Sequence, residues 1–184
     1  VKRNPKYNGS TSELFLNGEK IILKKISINS KEISKDQYEQ SEEGLLIKKL
    51  PEKFELIIEN EIDPVDNKTL AGLYKSGSIF CTQCEAEGFR RITYFIDRPD
   101  NMAVFTCKII ADKSYPVLLS NGNLVESGDL PGNKHFAKWH DPFPKPSYLY
   151  ALVAGDLGVI KDQHKTPTGK KVDLRIYCDK GNEE

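Results

Sequence analysis

One short segment of the chain, with the sequence CTQCEAEGFR, places an amide and a carboxylate two residues apart, at Gln83 and Glu85. In an extended strand this spacing puts both side chains on the same face. An amide oxygen and a carboxylate side by side can both accept hydrogen bonds from a single ammonium group, and the charged acceptor forms the stronger bond. The spacing therefore predicts a binding site for a free amine, although the same pattern is common on the solvent-facing side of a strand.

The surrounding sequence predicts an all-β fold in which strands position this pair. Its apolar segments are short, rich in β-branched and aromatic residues, and separated by turn residues such as Asn121, Gly122 and Asn123. One polar stretch, residues 34–43, predicts a surface hairpin loop or a short helical turn. Repeated strands of this kind predict a sandwich or an open, saddle-like arrangement of antiparallel sheets. The predicted strands comprise residues 19–29, 54–62, 91–97, 104–111, 115–119, 135–140, 147–154 and 171–178.

Length and composition disfavour several classes of partner. A chain of 184 residues is long enough for one domain, or for one domain and the start of a second. Lysine plus arginine and aspartate plus glutamate balance at 27 each, which predicts no nucleic-acid partner and no anionic membrane surface. The longest apolar run, residues 149–154, is far shorter than the ~20 residues of a membrane-spanning helix, and no signal-peptide pattern opens the chain.

Four cysteines leave a disulfide, a metal site and free thiols as alternatives. Cys81 and Cys84 have C-x-x-C spacing, but Cys107 and Cys178 are too far apart in the sequence to complete a zinc ribbon. A redox C-x-x-C normally opens a helix in a βαβ unit, and residues three apart in a strand face opposite sides, which disfavours a disulfide between them. We therefore expect buried or half-buried free thiols and a reducing compartment.

A longer stretch around the amide and the carboxylate, TQCEAEGFRRITYFIDRPD at residues 82–100, closely resembles the N-terminal domain of bacterial aminopeptidase N. That family consists of zinc exopeptidases of the gluzincin type. Several long matches in one order along the chain are much more specific than a single short motif. The further matching segments are LNG at 16–18, LPE at 50–52, residues 54–60 and 72–74, KIIADK at 108–113, LLSNGN at 118–123, DPFPKP at 141–146 and residues 148–156.

The resemblance implies a role for the amide and the carboxylate. In the resembling enzymes a Gln-x-Glu motif lies near the zinc cleft and, with a glutamate of a G-A-M-E-N loop, holds the free α-amine of the substrate. By position these residues are Gln83 and Glu85. The chain contains neither that loop nor the zinc motif H-E-x-x-H, and its histidines at 135, 140 and 164 lack the i, i+4 spacing of zinc ligands. We therefore expect no catalytic residue and no bound zinc in this chain, and hydrolysis only in a full-length enzyme whose downstream domain supplies both.

The resemblance also implies that residues 1–184 are the truncated N-terminal β domain of a multidomain metalloaminopeptidase that removes N-terminal residues from peptides. From about residue 157 to residue 184 we expect the first strands of the following catalytic domain. The implied partners are peptide N-termini and the catalytic domain of the same chain. The implied location is the cytoplasm, as for soluble bacterial members.

Truncation at both ends predicts unpaired strand edges and exposed apolar surface, which favour self-association of the isolated chain. We expect size-exclusion chromatography at high protein concentration to detect dimers or larger species. A sharp monomer peak at every concentration would contradict this expectation.

Several other residues admit functional and structural interpretations, and we predict the structural ones. Glu87 should pair with Arg90 or Arg91 rather than contribute a third acceptor. Residues 97–100, with the sequence DRPD, should form a tight, charge-paired turn. Aromatic residues that could line a cleft should instead pack in the β core; they are Trp139, Phe143 and Tyr148.

Two other classes of function remain open. Without the resemblance, an all-β chain of balanced charge predicts a stand-alone β-sandwich binding module for a sugar or a protein. A glycan-binding module would expose aromatic platforms, whereas an amine site predicts a narrow acidic patch at Glu85. A third interpretation, an intact small metalloenzyme, has only the cysteines to support it.

Overall fold

The computed structural model describes residues 12–183, and every pairing between the strands within them is antiparallel. Three short 3-10 helices interrupt the strands, at Lys35–Gln37, Phe89–Arg91 and Ser147–Leu149. These described residues include no helix with the length and apolar composition needed to cross a bilayer. The fifteen strands are β1 (Leu14–Asn17), β2 (Ile22–Ile28), β3 (Lys31–Glu32), β4 (Tyr38–Gln40), β5 (Gly44–Ile47), β6 (Leu56–Glu61), β7 (Gly72–Ser76), β8 (Ile79–Gln83), β9 (Ala103–Asp112), β10 (Val117–Ser120), β11 (Asn123–Leu130), β12 (Lys134–Lys145), β13 (Leu152–Gly155), β14 (Leu157–Lys165) and β15 (Lys171–Asp179).

These strands form five sheets with the orders β1-β5-β4, β3-β2-β6, β10-β13-β8-β7, β11-β12-β9 and β14-β15. Two hydrophobic cores lie between sheets. The first core joins the β1-β5-β4 sheet to the β3-β2-β6 sheet, and its buried residues are Leu16, Ile26, Leu45, Ile47, Leu50, Phe54 and Tyr94. The second joins the β11-β12-β9 sheet to the β10-β13-β8-β7 sheet through Ile109, Leu118, Ala137 and Ala154. The predicted all-β arrangement of antiparallel sheets is therefore confirmed.

Strand β9 illustrates why these sequences form strands. Exposed residues alternate with more buried ones along nearly all of Ala103–Asp112, as expected for a strand that covers a core with one face. The predicted strands at 19–29, 54–62, 104–111, 115–119 and 171–178 are present with slightly different ends. The polar stretch 34–43 contains the predicted helical turn, at Lys35–Gln37.

The predicted strand at 91–97 is wrong. Arg91 ends a 3-10 helix, and in the segment that follows only Phe95 pairs, in an isolated bridge with Asn17. The alternation of apolar side chains has a different origin, because this segment crosses between the two cores. Tyr94 is buried in the first core, whereas Phe95 packs its ring against Phe89 beside the second.

The region of residues 135–154 also differs from the prediction. β12 continues through Pro142 and Pro144 to Lys145, and the residues before β13 form a 3-10 helix instead of a strand. Prolines are tolerated there because the pairing of β12 with β9 is irregular between Asp141 and Lys145. The pairing of β12 with β11 ends before the prolines, at His140.

The last two strands, β14 and β15, form a hairpin in which nine residues of each strand are paired. The sequence predicted only the second of these strands. Further upstream, the predicted turn at Asn121 and Gly122 joins β10 to β11, which belong to different sheets. This turn therefore carries the chain from the β10-β13-β8-β7 sheet to the β11-β12-β9 sheet, the two sheets that enclose the second core.

Candidate functional site

Gln83 and Glu85 lie together at the end of β8, but they do not share one extended strand as predicted. β8 ends at Gln83, and Glu85 belongs to the turn at residues 84–88, which we call the acidic turn. The peptide bond between Glu85 and Ala86 is cis. Gln83 and Glu85 are nevertheless both exposed, at the same end of the same strand.

Gly88 closes the acidic turn and leaves no room for a side chain. Its N–H donates to the carbonyl of Cys84 at 2.8 Å. A Cβ atom at residue 88 would lie 2.3 Å from the carbonyl oxygen of Gln83 and 2.9 Å from the backbone nitrogen of Gly72. Those atoms belong to β8 and β7, so any larger residue would have to displace the end of a strand. Glycine is therefore required here by the close approach of the backbone.

The side chains of Gln83 and Glu85 offer two hydrogen-bond acceptors at the acidic turn. The side-chain Nε2 of Gln83 donates to the backbone carbonyl of Glu85 at 3.2 Å. Within residues 12–183, neither the amide oxygen of Gln83 nor the carboxylate of Glu85 has a hydrogen-bond or ion-pair partner. A neutral and a charged acceptor are thus both available to external donors at the same end of β8.

The other carboxylate of the acidic turn is already paired. Glu87 lies 3.2 Å from the Nη2 atom of Arg90, which confirms the predicted pairing. Of the two carboxylates in this turn, only Glu85 therefore lacks an ionic partner among the residues that the structure describes. The Glu85 carboxylate is therefore open to an external cation, and an ammonium group is a donor that both kinds of acceptor can bind.

Four aromatic rings pack together next to the acidic turn. We call Phe89, Phe95, Phe105 and Tyr150 the aromatic cluster. Phe89 is 6% exposed, and its ring centroid lies 5.0 Å from that of Phe95, 5.9 Å from Phe105 and 5.2 Å from Tyr150, with edge-to-face geometry. Edge-to-face contacts at these distances are favourable and directional. They hold the residue that immediately follows the acidic turn.

The thiol of Cys84, within the acidic turn, is buried, and Tyr150 of the aromatic cluster is half-buried. Burial, with a smaller contribution from the negative charge of Asp97, raises the pKa of Cys84 to about 12. Burial and the nearby thiol of Cys107, 3.1 Å from the phenolic oxygen, raise the pKa of Tyr150. All four cysteines are free thiols. A buried thiol with a raised pKa is a weak nucleophile at neutral pH.

The predicted turn at residues 97–100 is present, but one of its charges has another partner. Arg98 and Asp100 form a two-pronged pair at the surface, with Nε–Oδ1 and Nη2–Oδ2 distances of 2.9 and 2.7 Å. Asp97 instead is buried and binds Arg90. Sequence reasoning missed this contact, and the available signal was a carboxylate directly after the apolar residues ITYFI.

Of the three aromatic predictions, the one for Trp139 is confirmed, the one for Phe143 is wrong, and the one for Tyr148 stays a prediction. Trp139 packs against the second core and donates from Nε1 to the carbonyl of Leu118 at 3.0 Å. Tyr148 is half-buried. Phe143 is 76% exposed, because it lies in the irregular stretch of β12 where pairing with β9 is interrupted. In that stretch Lys145 is buried instead, with its ammonium 4.3 Å from the centre of the Phe105 ring.

The described residues do not form a metal centre. No group of three or more histidine, cysteine or acidic side chains within residues 12–183 is placed to hold a metal ion. His140 bonds instead to Thr106, with 2.9 Å between Nδ1 and Oγ1, and His135 bonds to the carbonyl of Tyr115 at 2.9 Å. A catalytic zinc site therefore has no matching ligand set in this part of the chain.

The structure is an antiparallel β domain with two hydrogen-bond acceptors, on Gln83 and Glu85, exposed at the end of β8. Comparison with known families identifies its class: the model of the peptidase M1 N-terminal domain matches residues 1–149. This chain therefore belongs to the peptidase M1 N-terminal domain family.

Individual relatives extend the similarity to almost the whole chain. Aminopeptidase N of Caulobacter vibrioides is 53% identical over 173 residues, which is 94% of this chain and 20% of that protein. Aminopeptidase N of Escherichia coli is 51% identical over 183 residues, 99% of this chain and 21% of that protein. The chain thus spans about a fifth of the length of these relatives.

Solved structures show the same fold. The crystal structure of Legionella pneumophila aminopeptidase A in complex with aspartic acid matches with a TM-score of 0.92 and 35% identity, over 97% of this chain and 21% of that chain. An M1 zinc metallopeptidase from Deinococcus radiodurans, an E323A mutant bound to a Tyr-Ser-Ala substrate, matches with a TM-score of 0.77 over 93% of this chain and 40% of that chain. At 16% identity, the second match concerns the fold alone.

Proposed function

We propose that this chain is the N-terminal domain of a zinc-dependent aminopeptidase that removes N-terminal residues from peptides. In this proposal Gln83 and Glu85 hold the α-amine of the substrate. The observation that carries the proposal is the pair of acceptors without partners, one of them charged, at the exposed end of β8. Family membership and the aminopeptidases among the relatives support it.

The chemistry of the two acceptors explains a preference for peptide ends. A protonated α-amine offers three donors and a positive charge, so it can satisfy an amide oxygen and a carboxylate at the same time. The N–H of an internal peptide bond offers one donor and no charge. Such a peptide would leave Glu85 unpaired in a closed cleft, and an unpaired buried charge is costly.

The zinc and the residues that cleave the peptide bond would lie in a catalytic domain that follows this chain. The described residues contain no group of three or more side chains placed to hold a metal ion, and the role proposed for this domain is to bind and orient the substrate. Its partners would be peptide N-termini and that catalytic domain, to which the β14–β15 hairpin, within residues 157–184, would be adjacent. We also propose a cytoplasmic location, which the four free cysteines support.

A pair of peptides tests the proposed specificity in the full-length protein. We expect a short peptide with a free N-terminus to be hydrolysed at least ~100-fold faster than the same peptide with an acetylated N-terminus, because acetylation removes the charge and two donors. The same peptide with an amidated C-terminus is the matched control and should keep most of the rate. Equal rates for the free and the acetylated peptide would exclude the proposed amine site.

A stand-alone binding module for a sugar or a protein is the alternative, and exposed Phe143 is the observation that favours it. Sugar-binding sites commonly use exposed aromatic rings as platforms. A single exposed ring beside two prolines is weaker support than the family assignment of the whole domain. The aminopeptidase proposal therefore takes precedence.

A further inference from the structure

Resting on the proposed function, we propose that Asp97 is a positioning residue for the amine site. It does not reach the two acceptors itself. It binds Arg90, and Arg90 in turn holds the acidic turn that carries Glu85.

Asp97 binds Arg90 through several hydrogen bonds. Its Oδ2 atom accepts from the backbone N–H of Arg90 at 3.1 Å and from the side-chain Nε at 3.0 Å. Its backbone carbonyl accepts from the Nη2 atom of the same arginine at 3.0 Å. The side chain of Asp97 is 1% exposed and that of Arg90 is 18% exposed. The main chain and the guanidinium of Arg90 are therefore both held by one buried residue.

Asp97 is itself fixed to the body of the domain. The hydroxyl of Ser147, in the 3-10 helix that precedes β13, donates to its Oδ1 atom at 2.5 Å. Its own N–H donates to the side-chain oxygen of Asn17, in β1, at 3.2 Å. Asn17 also exchanges two backbone hydrogen bonds with Phe95, of 2.8 and 3.1 Å. Asp97 thus connects Arg90 to β1 and to the 3-10 helix that precedes β13.

Arg90 transmits this anchoring to the acidic turn. It follows Gly88, the last residue of the turn, by two positions, and its Nη2 atom also contacts the carboxylate of Glu87 at 3.2 Å. Its carbonyl accepts from the N–H of Glu19 at 2.9 Å, which holds the same residue from a further direction. A shift of Arg90 would therefore move the segment on which Glu85 lies.

The negative charge of Asp97 lies beside the acidic turn, where it pairs with Arg90. Arg90 carries a permanent positive charge next to the acidic turn, and Asp97 compensates it. The influence of Asp97 on the pKa of Cys84, a residue of the turn itself, agrees with this proximity. Glu87 also pairs with Arg90, so the guanidinium keeps a carboxylate partner when Asp97 is replaced, and the main effect of Asp97 on the site is one of position.

A double-mutant cycle in the full-length protein tests the proposal. The variants are Asp97→Asn, Glu85→Ala and the two combined, assayed with a peptide that has a free N-terminus. We expect Asp97→Asn alone to raise KM on the order of tenfold with little change in kcat, since misplacing a binding group by a fraction of an ångström can have effects of this size. In the Glu85→Ala background the same change should alter KM by less than about twofold, because the group that it positions is absent.

The matched control is Asp100→Asn. Asp100 is an exposed aspartate three residues further along, paired with Arg98, so the substitution removes the same chemical group from the same segment. It should leave KM unchanged. Thermal unfolding of every variant shows whether stability changes together with KM; a purely structural role predicts losses that are the same in both Glu85 backgrounds.

The outcomes separate the two proposals. If Glu85→Ala leaves KM and kcat unchanged, the proposed amine site is wrong, and the role of Asp97 is wrong with it. If Glu85→Ala impairs the enzyme but Asp97→Asn has no effect, or an equal effect in both backgrounds, only the positioning role is overturned. If Asp97→Asn does not fold, Arg90→Lys takes its place in the cycle. Lysine keeps the charge but cannot make the Nε and Nη2 bonds together, and the same coupling with Glu85 decides the question.

Discussion

Replacing Glu85 by alanine in the full-length protein is expected to lower kcat/KM by more than about tenfold for peptides with a free N-terminus. In the proposed site the Glu85 carboxylate pairs with the α-ammonium group in a partly closed cleft. Removing one partner of such a charged pair typically costs about 2–5 kcal/mol, and roughly 1.4 kcal/mol corresponds to a factor of ten. Steady-state kinetics on purified wild-type and variant enzyme measure this loss.

The acidic turn provides its own control for this experiment. Glu87→Ala removes the same charge from the same turn, but Glu87 is exposed and already paired with Arg90. An exposed ion pair contributes only about 0–1 kcal/mol, so kcat/KM should change by less than about fivefold. Equal losses for the two variants would indicate a general effect of negative charge near the cleft, and an unchanged value for Glu85→Ala would remove its proposed role.

The second large effect is expected for Phe89→Ala, which should destabilise the isolated chain by about 3–5 kcal/mol. Phe89 is 6% exposed and makes three edge-to-face contacts in the aromatic cluster. Alanine would remove these contacts and leave a cavity directly under the acidic turn. Urea unfolding of the chain, followed by circular dichroism, gives the change in the free energy of unfolding.

Phe143→Ala is the matched control for this loss. It deletes the same side chain at a position that is 76% exposed, where little buried area is lost. We expect the free energy of unfolding to change by no more than about 0.5 kcal/mol. A loss below about 1 kcal/mol for Phe89→Ala would show that the aromatic cluster does not support the turn in solution.

The two large effects concern different requirements of one site. In the proposed site Glu85 supplies the charge, whereas Phe89 and Asp97 hold the backbone that presents it. Residues 85–87 of the acidic turn are exposed, and the buried side chain of the turn is that of Cys84. Its conformation therefore depends on the residues that pack against it. We expect substitutions at those buried positions to weaken substrate binding even though they lie outside the turn.

Local sequence was sufficient to predict much of the fold. Segments such as β2, β6 and β9 combine β-branched residues with turn signals, and the propensity to form a strand depends on residues that are close in sequence. The chemical types at Gln83 and Glu85 define a set of acceptors, and the resemblance of the surrounding sequence to a known family singled them out as the candidate site. The pairing of Glu87 with Arg90 was also predictable at this range.

Only the tertiary structure decided how the acceptors are presented. Sequence alternation placed Gln83 and Glu85 in one strand and residues 91–97 in another, whereas the chain turns after Gln83 and crosses between two cores. The contact of Ser147 with Asp97 joins residues 50 positions apart, and no local pattern reports a contact of that kind. Such contacts depend on how sheets pack against one another. For this protein, therefore, the sequence determined the all-β class, many of the strands and the chemical groups of the candidate site, and long-range packing determined the geometry that holds Glu85 in place.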